Sequence, residues 1–278
     1  MIPLDQSWEA LAFPEEVKHV IMVQKNKKAP GPDKLPAVVL KNDFCASFLG
    51  TLFTICLKNC SIPSVWRKGS IVPIPMKTTD DARVPLNFRG IPLLSVPYKA
   101  FSTILNERIS AWLEENDILV EEQNGFRPGR CTLEHILSLT SVAQCRAKLG
   151  KPTLIAFTDL KKAYNSIDHA FLWQKLQKGG IMGQLLKMLQ CLYSGITSAV
   201  RVNSYTTEPF KVKMGLWQGC VLSPTLFNLF INDLHASLKI QEKGVKLGNL
   251  SLHSLMYADD VATLQEILRT YRKSLKST

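Results

Sequence analysis

Two strongly apolar stretches of this chain each end in carboxylates, and few folds accommodate that twice. Pro152-Thr-Leu-Ile-Ala-Phe-Thr158 is rich in strand formers and stops at Asp159, which predicts a buried strand. Leu255-Met-Tyr-Ala-Asp-Asp-Val261 reads as an apolar hairpin with Asp259 and Asp260 at its tip. Residues 151–278 hold 16 Lys+Arg against only 8 Asp+Glu, so three of the scarce acids sit at strand ends. If the two strands are neighbours in one sheet, the three carboxylates meet. Like charges side by side are costly unless a cation neutralises them. A hard divalent ion suits such a cluster, because it takes oxygen ligands and leaves room for phosphate oxygens. Ions so held could activate a hydroxyl and stabilise a leaving pyrophosphate. Taken singly, an Asp at a strand end is ordinarily a cap or turn residue, and an Asp-Asp pair a solvated turn. Context has to decide.

The rest of the chain mixes helix and strand. Phe101, Ile104, Leu105, Ile109 and Trp112 fall at helical spacing within Val96–Glu115. Thr132 reads as the N-cap of a helix to about Leu149, closed by Gly150. Asp168 caps a helix through Lys178 that Gly179-Gly180 ends, and Ser223-Pro224 opens another carrying Leu226, Phe227, Phe230, Ile231, Leu234 and Leu238. Short strands are expected at Thr197–Val202, at Pro209–Met214, and twice within Leu250–Leu264. The proline-broken run Ser70-Ile-Val-Pro-Ile-Pro75 reads as edge strand or loop. The expected class is α+β.

Composition removes several alternatives. With 46% hydrophobic and 21% charged residues the chain can bury a core, which excludes disordered, collagen-like and coiled-coil readings. No apolar run approaches the roughly 18 residues of a membrane span, and the start lacks a signal-peptide layout. A soluble intracellular protein with no membrane partner is expected. Seven scattered cysteines without a C-x-x-C pair read as reduced thiols, and five dispersed histidines propose no zinc site. The net charge is +11: 18 Lys+Arg against 15 Asp+Glu in residues 1–150 (+3), and 16 against 8 thereafter (+8). Such a surface either favours polyanions, nucleic acid first, or merely solubilises.

Tyr257-Ala-Asp-Asp260 resembles the metal-binding hairpin of reverse transcriptases, and the likeness extends along the chain. Phe157–His169 is similar to the family's first carboxylate motif, Gln218–Asp233 to its Gln-Gly…Ser-Pro motif, and Asn124–Arg130 to the finger segment before it. Trp66–Pro75 and Asn87–Leu94 resemble the strands ahead of that. Asn26-Lys-Lys-Ala-Pro-Gly-Pro-Asp33 is similar to the upstream extension of non-LTR (LINE-type) retrotransposon polymerases. Seven motifs in family order leave coincidence negligible.

The resemblance implies a right-hand polymerase, with residues 1–140 as N-terminal extension and fingers and 141–278 as an incomplete palm. Within it, 172–212 would be a finger-side insertion, the palm sheet would be antiparallel with packed helices, and the thumb would be absent. It implies RNA-directed DNA synthesis, with an RNA template, a DNA primer and deoxynucleoside triphosphates as partners, beside other domains of a retroelement polyprotein. Two magnesium ions, replaceable by manganese, would be held by Asp159, Asp259 and Asp260, with the Leu160 backbone as a further ligand. Lys77 and Arg89 would contact the triphosphate, and Tyr164 would exclude a ribose 2′-hydroxyl. Gln218 and Gly219 would lie by the nucleotide, and Arg127 and Arg130 on template phosphates. The chain departs from the family pattern at Lys34, where Gly often stands, at Asn165, where an acid is common, and at Trp217, where Arg is usual. An indole cannot replace a guanidinium on phosphate. These departures leave a rival from another class: a catalytically silent retroelement remnant that still binds nucleic acid.

Overall fold

A computed structural model describes residues 14–77, 81, 83–239, 244–247 and 250–266. In chain order they form α1 (Pro14–Val23), α2 (Ala37–Leu40), α3 (Asp43–Asn59), β1 (Lys68–Pro75), β2 (Phe88–Leu93), α4 (Val96–Glu115), α5 (Thr132–Lys148), β3 (Thr153–Asp159), α6 (His169–Lys178), α7 (Gly183–Tyr193), β4 (Thr197–Val202), β5 (Tyr205–Thr206), β6 (Phe210–Lys211), α8 (Leu222–Lys239), β7 (Val245–Leu247), β8 (Leu250–Leu252), β9 (Ser254–Tyr257) and β10 (Asp260–Glu266). Helices and sheets are mixed, as the α+β reading expects. Among the described residues no helix is long and apolar enough to cross a membrane.

The chain divides into two compact units. The first joins the residues up to Asn116 with Tyr164–Leu226. Its helical core is built on Phe53, Trp66, Tyr98 and Phe101, whose ring centroids lie 5.1–6.3 Å apart in tilted and edge-on pairs. Burying each such side chain contributes roughly 1.5–3 kcal/mol. The sheet of this unit runs β2-β1-β4-β5, with β6 also on β4. β1 is therefore central rather than an edge strand, which corrects the expectation for Ser70–Pro75. The reason lies in the register. Only Lys68–Ile71 pairs with β4, so Pro73 and Pro75 lie beyond that ladder and meet only β2. Gly31 of the Pro-Gly-Pro segment passes backbone against backbone, since a Cβ there would stand 2.4 Å from the carbonyl carbon of Leu94 and the nitrogen of Ser95. Asp33 then accepts the Ser95 hydroxyl at 2.5 Å.

The second unit joins Asp117–Ala163 with the chain from Phe227 onward. Its main sheet is β3-β10-β9, antiparallel throughout. α5 covers one face, packing Val142 and Leu139 with Ile155, Leu264 and the β7-β8 ribbon. β3 is an edge strand and mostly exposed, with Phe157 77% accessible, so the expected buried strand is overturned. Its composition is that of a core strand, but among the described residues it has a neighbour on one side only.

Helix termini follow local chemistry. The Asp168 carboxylate accepts from the N–H groups of Ala170 (2.7 Å) and Phe171 (3.2 Å), a cap worth about 1 kcal/mol. The α5 N-cap is Cys131, one residue before the expected Thr132, with Glu134 accepting from the Cys131 N–H. α8 starts at Leu222, so Ser223 lies inside it and donates its hydroxyl to the Trp217 carbonyl at 2.8 Å.

Candidate active site

In the second unit, cross-strand register brings the acidic strand ends together. Asp260 pairs with Asp159 across β10 and β3 and with Tyr257 across β9. Directly paired residues project on one face of a sheet. Asp259 occupies the turn, and its carbonyl accepts from the Leu160 N–H at 3.2 Å. The Leu160 carbonyl in turn accepts from Ala163. Asp159 and Asp260 are exposed and line a cavity of about 410 Å³ with Phe157, Tyr257 and His135. The donors are hard oxygens, the type magnesium takes. Among the described residues no three acidic, histidine or cysteine groups already stand around an ion position.

The turn itself is tightly held. Ala258 has φ 57°, a left-handed conformation that costs a Cβ-bearing residue roughly 1–2 kcal/mol. Buried Gln123 clamps it: its Oε1 accepts from the Ala258 N–H (2.9 Å) and its Nε2 donates to the Ala258 carbonyl (3.2 Å). Asn124 donates its N–H to Met256, and Met256 donates to Glu122. Gly125 leaves no room for a side chain, since a Cβ would lie 2.1 Å from the Ala258 nitrogen. Asn228 of α8 donates to the Gly125 carbonyl at 2.7 Å. Gln123 and Asn228 had no sequence signal of their own, because each acts on backbone far away in the chain.

In the first unit, Gly215–Gln218 is laced to Tyr164–Ile167. The Leu216 N–H donates to the Tyr164 carbonyl and the Gly215 N–H to that of Ile167, both at 2.7 Å. Gln218 donates its side-chain amide to Asn165 Oδ1 at 3.3 Å. Gly219, at φ 86°, is exposed beside it. Trp217, the departure expected to cost a phosphate contact, is an interior residue, 6% exposed.

The cations divide. Lys77 and Arg89 are exposed at the far end of the β1-β2 hairpin, without an ion-pair partner among the described residues. Arg127 is buried and donates to the Val120 and Gln123 carbonyls, which secures the segment that carries Gln123. Arg130 is partly exposed and pairs with Glu121 at 2.6 Å.

Residues 75–277 match a family model described as reverse transcriptase (RNA-dependent DNA polymerase). The chain is 29% identical over 223 residues to a probable RNA-directed DNA polymerase from transposon X-element of Drosophila melanogaster, covering 80% of this chain and 24% of that protein. It is 27% identical over 257 residues to the RNA-directed DNA polymerase from mobile element jockey of the same species (90% and 27%). A retrovirus-related Pol polyprotein from a type-2 retrotransposable element of that species matches at 26% over 238 residues (86% and 22%). The chain thus spans about a quarter of the length of these relatives.

Proposed function

Because the chain belongs to the reverse transcriptase family, we propose that it is the RNA-directed DNA polymerase portion of a non-LTR retrotransposon protein. It extends a DNA primer on an RNA template with deoxynucleoside triphosphates. The observation that carries the reading is the pairing of Asp159 with Asp260, with Asp259 at the adjoining turn. Residues 1–140 are read as extension and fingers, and 141–278 as palm with 172–212 inserted on the finger side.

Asp159 and Asp259 are the principal metal ligands, Asp260 supports them, and the second lone pair of the Leu160 carbonyl is a further donor. Bound magnesium, two ions in this reading, supplies charge neutralisation for the transferred phosphoryl group and the departing pyrophosphate. The primer 3′-hydroxyl is the nucleophile, so no side chain forms a covalent intermediate and the protein's work is placement and charge. Lys77 and Arg89 bind triphosphate oxygens. The Tyr164 ring supports the sugar and blocks a 2′-hydroxyl, and Gln218 and Gly219 adjoin the nucleotide. Arg130 can exchange its exposed carboxylate partner for a template phosphate, while Arg127 steadies the segment beneath it.

Single-nucleotide addition to a primer annealed to RNA, with magnesium, tests this. Addition by the wild-type chain that Asp259→Ala abolishes is expected. No addition by a folded wild-type chain would contradict the activity and leave a silent family remnant.

A further inference from the structure

We propose that Trp217 is a positioning residue for nucleotide recognition: docked on Gly69, its indole sets where Gln218 stands. The inference rests on the polymerase reading, because it concerns what Gln218 does for the incoming nucleotide.

Gly69 lies in β1 opposite Ser198 of β4, and the indole fills the space above its Cα. A Cβ at 69 would stand 2.1 and 2.5 Å from Cζ3 and Cη2 of the ring. The indole therefore occupies a notch that only glycine leaves open. The ring brings a polar atom with it, since Trp217 Nε1 is buried with no hydrogen-bond partner among the described residues. A phenyl or aliphatic side chain would fill apolar space without that cost, so the size and reach of the indole distinguish it here. The backbone beside it is fixed from both sides. The Trp217 carbonyl accepts from the Ser223 hydroxyl and the Cys220 N–H, and Leu216 and Gly215 are tied to Tyr164 and Ile167. Gly215 also lies against Asn165, where a Cβ would come within 2.9 Å of its Cα.

Gln218 is the next residue, and its side-chain amide donates to Asn165. The ring, the loop and the Gln218–Asn165 pair border one cavity of about 270 Å³ that also touches Ile71, Pro92 and Met214. Among the described residues no carboxylate lines it, so an arginine at 217 would bring in a charge without a carboxylate to meet it there. Displacing the indole moves the backbone one peptide bond from the Gln218 side chain, while the chemistry at the carboxylates is left alone. The consequence should therefore fall on nucleotide affinity.

The test is single-nucleotide addition by the full chain with magnesium, reading the deoxynucleotide KM and kcat separately for Gly69→Ala, Trp217→Leu and the double variant. Each single change should raise KM about tenfold with kcat within about twofold. The double variant should recover most of the loss, since the methyl refills the space the ring vacates. In a Gln218→Ala background, Trp217→Leu should raise KM no further. Should Gly69→Ala fail to fold, Trp217→Phe should give a KM between wild type and Trp217→Leu. Additive losses in the double variant, or a lower thermal midpoint with an unchanged KM, would overturn the positioning role. A wild-type chain that adds no nucleotide would refute the polymerase reading first, and the positioning role with it.

Discussion

The turn that carries Asp259 and the loop that carries Gln218 are held by opposite means. At the turn, rigidity resides in the backbone: Gln123 clamps both sides of Ala258, and Gly125 presses against it, while the flanking carboxylates Asp159 and Asp260 face water. At the loop, rigidity extends into side chains. A whole indole is buried and the Gln218 amide is bonded to Asn165. The difference follows from charge. Paired acids repel, so without a counter-charge they need solvent, and it is the main chain beneath them that is made stiff. A neutral amide carries no such penalty, and in the role proposed for Gln218 it would be set beforehand.

If that contrast is right, removing an acid should cost function and not stability. Asp159→Ala is expected to lower nucleotide addition by at least about a thousandfold, with a thermal midpoint equal to wild type or higher. An unfolded Asp159→Ala chain would show that the carboxylate is structural. Gly125→Ala should do the reverse of this, forcing a methyl against Ala258 and costing about 2–3 kcal/mol in urea unfolding. Ala258→Gly relieves the left-handed conformation and should gain about 1 kcal/mol. No gain would mean that the Gln123 clamp imposes no strain.

The smallest effect concerns Glu266, at the opposite end of β10 from the acids. The Lys246 backbone N–H, with Arg146 in support, holds its carboxyl below the usual carboxylate range. A depressed folded-state value means a contribution present above the unfolded value near 4.5 and lost as pH falls through the lower folded one. Glu266→Gln should therefore lower the thermal midpoint at pH 7, and the gap to wild type should close as the pH is taken below about 4. A gap independent of pH would assign Glu266 a packing role.

Local features were legible in the sequence wherever local chemistry makes them. The bounds Val96–Glu115, Thr197–Val202 and His169–Lys178 follow from periodicity, strand formers and the Asp168 cap. The two acidic strand ends were legible as well, and the register joins them as neighbouring strands. What could not be read depends on pairing order. β3 has the composition of an interior strand but lies at the edge of the sheet formed by the described residues, and the prolines of β1 disguise a central one. Trp217 looked like a lost phosphate contact because nothing near it in sequence announces Gly69 as its seat. Gln123 is one polar residue among several until the hairpin it clamps lies beside it.

The most direct test of the contrast is the thermal midpoint of the chain titrated with magnesium, without substrate, for wild type and Asp159→Ala. Relief of the repulsion between Asp159 and Asp260 predicts that magnesium raises the wild-type midpoint and leaves that of the variant unmoved. An equal shift in both, or none in wild type, would contradict the assignment of these carboxylates as the cation site.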